Sequence, residues 1–279
     1  QKVNVDWWYR GTADSIFQNI NILERERPHN VLILSGDHIY KMDYRKMLDF
    51  HQSKQCDLTV AGVEINKEKA HHMGVFEVDN AFRIIGFQEK PARPKTVPWD
   101  RSKALVSMGV YVFKTERLVR EIIDDAKRET EHDFGRNIIP RMIKKQSVFV
   151  YNFIDEKKGG VEYWRDVGSL DSYHEANMEL LKESPSFDLY DTTWPIRTYQ
   201  EQSPPAKVVL SREEKVLSRG VIINSLITNG CLIIGGKINH SILSPFVEIH
   251  SHCRVEDSIL MRGVKAGHHA RIRKAIIDE

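Results

Sequence analysis

Val31-Leu32-Ile33-Leu34-Ser35-Gly36-Asp37-His38-Ile39-Tyr40 is the stretch that sets the fold class. Its first four residues are all apolar, as in a short strand buried on both faces, and Ser-Gly-Asp ends the run. A helical segment follows over residues 44–52, and residues 58–65 make a second strand rich in β-branched side chains. Strand, crossover helix and strand form a βαβ unit, so this part of the chain reads as an α/β layer fold with a mostly parallel sheet.

The same alternation extends in both directions. Upstream, residues 12–27 read as one helix, with Thr12 as cap and Ile16, Ile20 and Leu23 on one face. Downstream, residues 75–78 and 83–87 flank Asp79-Asn80-Ala81 and form a hairpin that delivers Gln88-Glu89-Lys90-Pro91. Strands follow at 106–113 and 148–153, helices at 116–127 and 134–145, and a last helix at 170–181 capped by Ser169.

The texture then changes. Pro185, Pro195, Pro204 and Pro205 interrupt regular structure, which places a linker at 185–219 between a first domain at 1–184 and a second at 220–279. In the second, Ser225-Leu226-Ile227, Ser241-Ile242-Leu243, Ser258-Ile259-Leu260 and Ala275-Ile276-Ile277 recur every 16 to 17 residues, and Val247, Cys253 and Ile259 step by six. That is the spacing of a parallel β-helix built from hexapeptide repeats, and four matching triplets favour it over a β-sandwich with accidental spacing. An apolar start at Val3, Val5, Trp7 and Trp8 and an uncapped coil at Glu279 read as an incomplete first domain and an incomplete solenoid.

Lysine and arginine (41) nearly balance aspartate and glutamate (39), so no net field favours nucleic acid or an anionic membrane as partner. No apolar run reaches the ~18 residues of a membrane span. Cys56, Cys231 and Cys253 form no CxxC pair and suit a reducing compartment, the cytoplasm. There is no G-x-x-x-x-G-K-[ST] loop, no G-x-S-x-G elbow and no G-x-G-x-x-G fingerprint, which removes the main support for P-loop kinase, hydrolase and dehydrogenase readings. The pairs His71-His72 and His268-His269 have no third ligand at zinc spacing.

In open α/β sheets ligands sit beyond the carboxyl ends of strands, where Asp37 falls. Asp166, just ahead of a helix start, is a second carboxylate of the kind that holds Mg²⁺ together with substrate phosphates. A plain turn at Asp37 and a cap or an Arg165 pairing at Asp166 are the alternative readings. Glu89 can accept hydrogen bonds from sugar hydroxyls and Lys90 can neutralise a sugar phosphate, or the two form a solvated pair. Tyr9-Arg10-Gly11-Thr12 leads into a helix N-terminus, where Gly11 permits close approach.

Several segments in order carry a family resemblance: Trp8-Tyr9-Arg10-Gly11-Thr12-Ala13-Asp14, Ser35-Gly36-Asp37-His38-Ile39-Tyr40, Glu89-Lys90-Pro91, Ser107-Met108-Gly109-Val110-Tyr111, His132-Asp133-Phe134-Gly135, Tyr163-Trp164-Arg165-Asp166-Val167-Gly168 and Trp194-Pro195-Ile196-Arg197-Thr198-Tyr199. Along nearly the whole chain they resemble the ADP-glucose pyrophosphorylases. The resemblance implies a Rossmann-like nucleotidyltransferase domain followed by a left-handed β-helix, and formation of ADP-glucose from ATP and glucose 1-phosphate for glycogen synthesis, in a homotetramer. It also implies Asp37 and Asp166 on catalytic Mg²⁺, Lys90 on the sugar phosphate, Glu89 and Ser107 on the glucose ring, Gly74 near the sugar, and Tyr9 and Gly11 at the nucleotide. The family's Phe-Gly-Val reads Met73-Gly74-Val75 here, its Ala-Asp-Ala reads Ala13-Asp14-Ser15, and its arginine-bearing glycine-rich loop is absent from 1–279. A sister enzyme using another nucleotide, a non-catalytic regulatory subunit and a hexapeptide acyltransferase are the competing readings; retention of Asp37, Lys90 and Asp166 favours catalysis.

Overall fold

The computed structural model describes residues 8–155, 160–211 and 218–278; the apolar start at Val3, Val5 and Trp7 and the terminal Glu279 lie outside them. The chain forms two compact units, the first ending at Trp164 and the second starting at Arg165, ahead of the expected linker.

In the first unit the expected helix over 12–27 is broken into α1 (Thr12–Phe17) and α2 (Ile20–Glu26). The cause is Asn19. Its side-chain amide donates to the Ser15 carbonyl at 2.8 Å, so its own N–H turns to Ile16 O at 3.1 Å and the i→i+4 ladder stops. Thr12 is the first helical residue rather than the cap, which falls to Gly11. The strand read at 31–34 is β1 (Asn30–Ile33), and it is half-buried throughout rather than buried on both faces. Among the described residues it pairs on one side only, with β6 (Lys103–Lys114).

Between these come β2 (His38–Tyr40), α3 (Tyr44–Ser53), whose cap Asp43 accepts from Arg45 N–H, the buried β3 (Leu58–Asn66), and the hairpin of β4 (Gly74–Val78) and β5 (Ile84–Glu89). Asp79 closes that hairpin by accepting the N–H groups of Ala81 and Arg83. After β6 come α4 (Thr115–Ala126), a π-turn over Phe134–Ile138 that runs into α5 (Ile139–Ile143), and β7 (Val148–Asn152). A small ribbon of β8 (Ile154–Asp155) and β9 (Gly160–Val161) and then β10, which starts at Trp164, complete the strands.

The main sheet has the order β5-β4-β6-β3-β7, with β1 also on β6. β1, β3, β4 and β7 run in one direction, as the βαβ reading expects, while β6 and β5 oppose them, so most neighbouring pairs are antiparallel. One face packs Phe76, Leu105, Phe113, Leu118 and Ile138; the other packs Met47, Val63, Val106, Met108 and Val110.

The second unit opens with α6 (Leu170–Glu179), held by the expected Ser169 cap in a reciprocal box with Ser172. A parallel β-helix follows. Its three sheets comprise β11 (Lys207–Val209), β14 (Leu232–Ile234), β17 (Glu248–Ile249) and β20 (Lys265–Ala266); β12 (Val221–Ile223), β15 (Lys237–Asn239), β18 (Arg254–Glu256) and β21 (Arg271–Arg273); and β13 (Leu226–Ile227), β16 (Ile242–Leu243), β19 (Ile259–Leu260) and β22 (Ile276–Ile277). The register Leu226↔Ile242↔Ile259↔Ile276 reproduces the repeat read in the sequence. The repeated serines climb between coils: Ser225, Ser241 and Ser258 hydroxyls accept the N–H groups of Ser241, Ser258 and Ala275 at 3.1 to 3.2 Å. Corners recur in register with left-handed backbone, such as Asn224, His240, Asp257 and Lys274 at φ 45° to 48°. The cysteines are all buried and unbridged.

One buried cluster bears on pH. His51, 2% exposed, places Nδ1 2.9 Å from Thr59 Oγ1 and 3.4 Å from Cys56 Sγ. Burial, aided by the Lys114 ammonium, pushes this imidazole down to about 4 from an ordinary 6.5, and burial pushes the Cys56 thiol up. Both groups are therefore neutral, which makes them a packing cluster and not a thiolate–imidazolium nucleophile. Below pH 6.5 the unfolded chain takes up a proton that the folded chain refuses, so stability falls as pH drops from 6.5 toward 4, by roughly 3 kcal/mol in all. Urea melts of the first unit at pH 7 and pH 4.5 are expected to show this loss. His51→Gln flattens the slope, and an unchanged slope in that variant contradicts the assignment.

Candidate active site

β6 carries the site because it is not regular. On its partner β3, Val60 faces Tyr111 and Gly62 faces Ser107, so Met108, Gly109 and Val110 together stand opposite Ala61. The bulge is made by Gly109, at φ +67°, in a region that residues with a Cβ avoid. It turns the Met108 carbonyl outward to meet His38 Nδ1 at 2.7 Å. A methyl group on Gly109 would lie 3.0 Å from Ser35 Oγ and 3.1 Å from His38 Cε1. The bulge and the loop that follows β1 are thus fitted to each other.

Asp37 stands on that loop, where the sequence places it. Its side chain is 59% exposed and lies 3.6 Å from His38 Nε2. Among the described residues it accepts no hydrogen bond, so its oxygens are open to a ligand. The far edge of the His38 ring meets Trp164 in a T-shaped contact with centroids 5.2 Å apart. Asp166 follows two residues further along β10; its Oδ1 accepts the Gly168 N–H at 2.8 Å and its other oxygen has no partner among the described residues.

Two glycines stand beside Glu89, on β4 and on the π-turn. A methyl group on Gly74 would lie 2.5 Å from the Phe87 ring and 3.2 Å from Glu89 Oε2, and one on Gly135 would lie 3.6 Å from that same oxygen and 3.3 Å from Asp133 Oδ1. Two carboxylates therefore converge across two residues that have no side chain. Glu89 has no ion pair or hydrogen bond among the described residues. The backbone reverses at Lys90, φ 46°, whose N–H donates to Met73 O.

Ser107 and Tyr111 complete this side. The Ser107 hydroxyl accepts the Gly109 N–H at 3.3 Å. Burial pushes the Tyr111 phenol up to about 12, with Ser107 opposing and the Asp133 and Glu89 carboxylates adding to the rise. Tyr111 is thus neutral at any physiological pH.

Next to Gly11, Thr12 reaches Asp133. Thr12 Oγ1 donates to Asp133 Oδ2 at 3.0 Å and accepts the Phe134 N–H at 3.0 Å. A methyl group at Gly11 would lie 2.2 Å from the Glu131 carbonyl oxygen, so the chain's own packing demands glycine there. The Tyr9 hydroxyl accepts from Asn19 Nδ2 at 3.2 Å. The first unit places Gly74 beside Glu89, with Lys90 next in the chain, and sets Ser107 at the β6 bulge that meets the loop of Asp37; Gly11 packs on the Glu131 and His132 backbone and Tyr9 pairs with Asn19. His38, Asp133 and Tyr111 were not singled out from the sequence as site residues. Their segments stood in the quoted motifs, but only the bulge and the two glycines beside Glu89 reveal what their side chains do.

A family model described as nucleotidyl transferase matches residues 2–183, and one described as GlmU-like, C-terminal hexapeptide matches residues 204–279. The chain is similar to the glucose-1-phosphate adenylyltransferases of Rhodopirellula baltica (46% identical over 275 residues), Koribacter versatilis (44% over 273) and an Anaeromyxobacter species (47% over 282). These alignments take in 98%, 97% and 98% of this chain but 62%, 65% and 68% of the relatives, so the chain spans about two thirds of the length of the curated relatives it matches.

Gly109→Ala combines a left-handed strain with contacts against Ser35 and His38. Thermal denaturation is expected to show a loss of about 1 to 2 kcal/mol. The His38 ring resonances should shift with it; a variant as stable as the parent, with His38 unmoved, contradicts the role given to the bulge.

Proposed function

The chain belongs to the nucleotidyl transferase family and, within it, to the glucose-1-phosphate adenylyltransferases, and we propose that it joins ATP and α-D-glucose 1-phosphate to give ADP-glucose and pyrophosphate for α-glucan synthesis. The observation that carries this reading is the exposed Glu89 carboxylate at the end of β5, beside Gly74 and Gly135 and followed by the exposed Lys90. A free carboxylate suits the hydroxyls of a sugar ring, and a lysine suits its phosphate.

Glu89 and Ser107 orient the glucose ring in this reading, with the Ser107 hydroxyl held by the Gly109 N–H. Lys90 offsets the charge of the sugar phosphate as its oxygen approaches the α-phosphorus of ATP in line. Tyr9 and Gly11 lie at the nucleotide. A phosphate monoester is already largely ionised near neutral pH, so positioning matters more than deprotonation, and no general base is required.

Asp37 and Asp166 are the proposed magnesium ligands. The donor set fits: each is an exposed carboxylate with an oxygen open to a ligand, the hard donor that Mg²⁺ takes in ones and twos alongside substrate phosphates. Bound there, the ion would offset charge on the transferring group and the departing pyrophosphate. The unbridged, buried cysteines support a cytoplasmic setting, and a homotetramer is the assembly proposed from the family resemblance. Among the described residues no helix is long and apolar enough to cross a membrane.

Steady-state kinetics test the roles. Asp37→Asn is expected to lower kcat at least ~100-fold with little change in melting temperature, as for loss of a group that acts on transition-state charge. Lys90→Ala is expected to raise the KM for glucose 1-phosphate about tenfold or more, the pattern of lost substrate binding. Parent-like kinetics in both variants would refute the site.

A further inference from the structure

The β-helix places opposite charges on successive coils at several columns. Lys265 faces Glu248 at 3.1 Å, His240 faces Asp257 at 2.7 Å, and Arg273 approaches Glu256 to 4.0 Å. One column departs from this rule. The register Lys237↔Arg254↔Arg271 stacks three cations at the first position of β15, β18 and β21, on coils ~4.8 Å apart. All three are exposed, and none of their side chains is paired among the described residues. Like charges directly opposite one another on paired strands destabilise a sheet.

The described residues around the column do not relieve this. Ile238, Val255 and Ile272 alternate with the cations and point into the core, so the three charged side chains share one outer face. Among the strands of this sheet Glu256 is the only carboxylate, and it stands on the Arg273 column. At the adjoining corner Gly235, His252 and His269 turn the chain at φ 73°, 59° and 61°, and the two imidazoles stack with centroids 4.9 Å apart and planes 7° apart. The cation column and this corner enclose a recess of about 280 Å³.

We infer that this recess binds a small multivalent oxyanion carrying two phosphate-type groups, held by Lys237, Arg254 and Arg271 across adjacent coils. Guanidinium forks donate N–H groups to phosphate oxygens in pairs, and the coil spacing sets the distance over which two anionic groups are gripped. The site lies wholly within the second unit, and its existence does not depend on the roles proposed for Asp37, Lys90 or Glu89.

Isothermal titration with inorganic pyrophosphate at low ionic strength, where surface charges are least screened, tests it. Three proteins are compared: the native chain, Lys237→Gln/Arg254→Gln/Arg271→Gln, and Lys90→Ala as a control for binding in the crevice of the first unit. The glutamines keep most of each stem and remove the repulsion, so the triple variant is expected to melt no lower than the native chain when no anion is present. The native chain and Lys90→Ala should share a class of pyrophosphate sites that weakens at least tenfold in the triple variant, with inorganic phosphate, which spans fewer coils, binding less tightly. Unchanged pyrophosphate affinity in the triple variant, or a native chain with no uptake beyond what Lys90→Ala loses, overturns the inference.

Discussion

The hydrogen bond from the His38 imidazole to the Met108 carbonyl, 2.7 Å long, joins the two halves of the crevice in the first unit. It exists because β6 breaks its ladder at Gly109, and β6 can tolerate that break because it is paired along its length by β1, β3 and β4. A strand this well held can turn a carbonyl away from the sheet at small cost. From that fixed point Asp37 is set on one side, and Ser107 and Tyr111, on β6 itself, are set on the other.

Electrostatics and space then divide the labour. Glycines at 74 and 135 leave room for the Phe87 ring and bring the Glu89 and Asp133 carboxylates to the same backbone. Of these two acids, Asp133 is engaged by Thr12 and by the Arg136 N–H, and so fixes the entry to α1 and the π-turn. Glu89 is left open. Glu89, exposed and without a side-chain partner among the described residues, stands next to a lysine at a strand end, an arrangement available to a polar ligand. The second unit follows a different logic, in which each coil supports the next through matched apolar residues, serine hydroxyls and repeated left-handed corners.

Much of this was legible in the sequence where local pattern and tertiary structure agree. The period of 16 to 17 residues became strand register, the hairpin at Asp79 formed where turn chemistry placed it, and Ser169 capped its helix. The departures share one cause: a side chain whose partner lies far along the chain or competes locally with the backbone. Asn19 diverts a carbonyl and splits a helix that periodicity reads as continuous. Thr12 gives its hydroxyl to Asp133 rather than to a cap, a pairing 121 residues distant that no local pattern contains. His38 and Tyr111 stayed hidden because their roles come from a bulge, and the corners of the coil carry histidine, asparagine and aspartate where glycine would have announced the turn.

The proposed reaction is adenylyl transfer to a sugar phosphate beside the β6 bulge. Incubating the protein with glucose 1-phosphate, Mg²⁺ and an equal mixture of ATP, UTP, dTTP and GTP, and identifying the products by mass spectrometry, tests it most directly. The account predicts ADP-glucose as the dominant nucleotide sugar. Dominance of UDP-, dTDP- or GDP-glucose, or the absence of any nucleotide sugar, would contradict it.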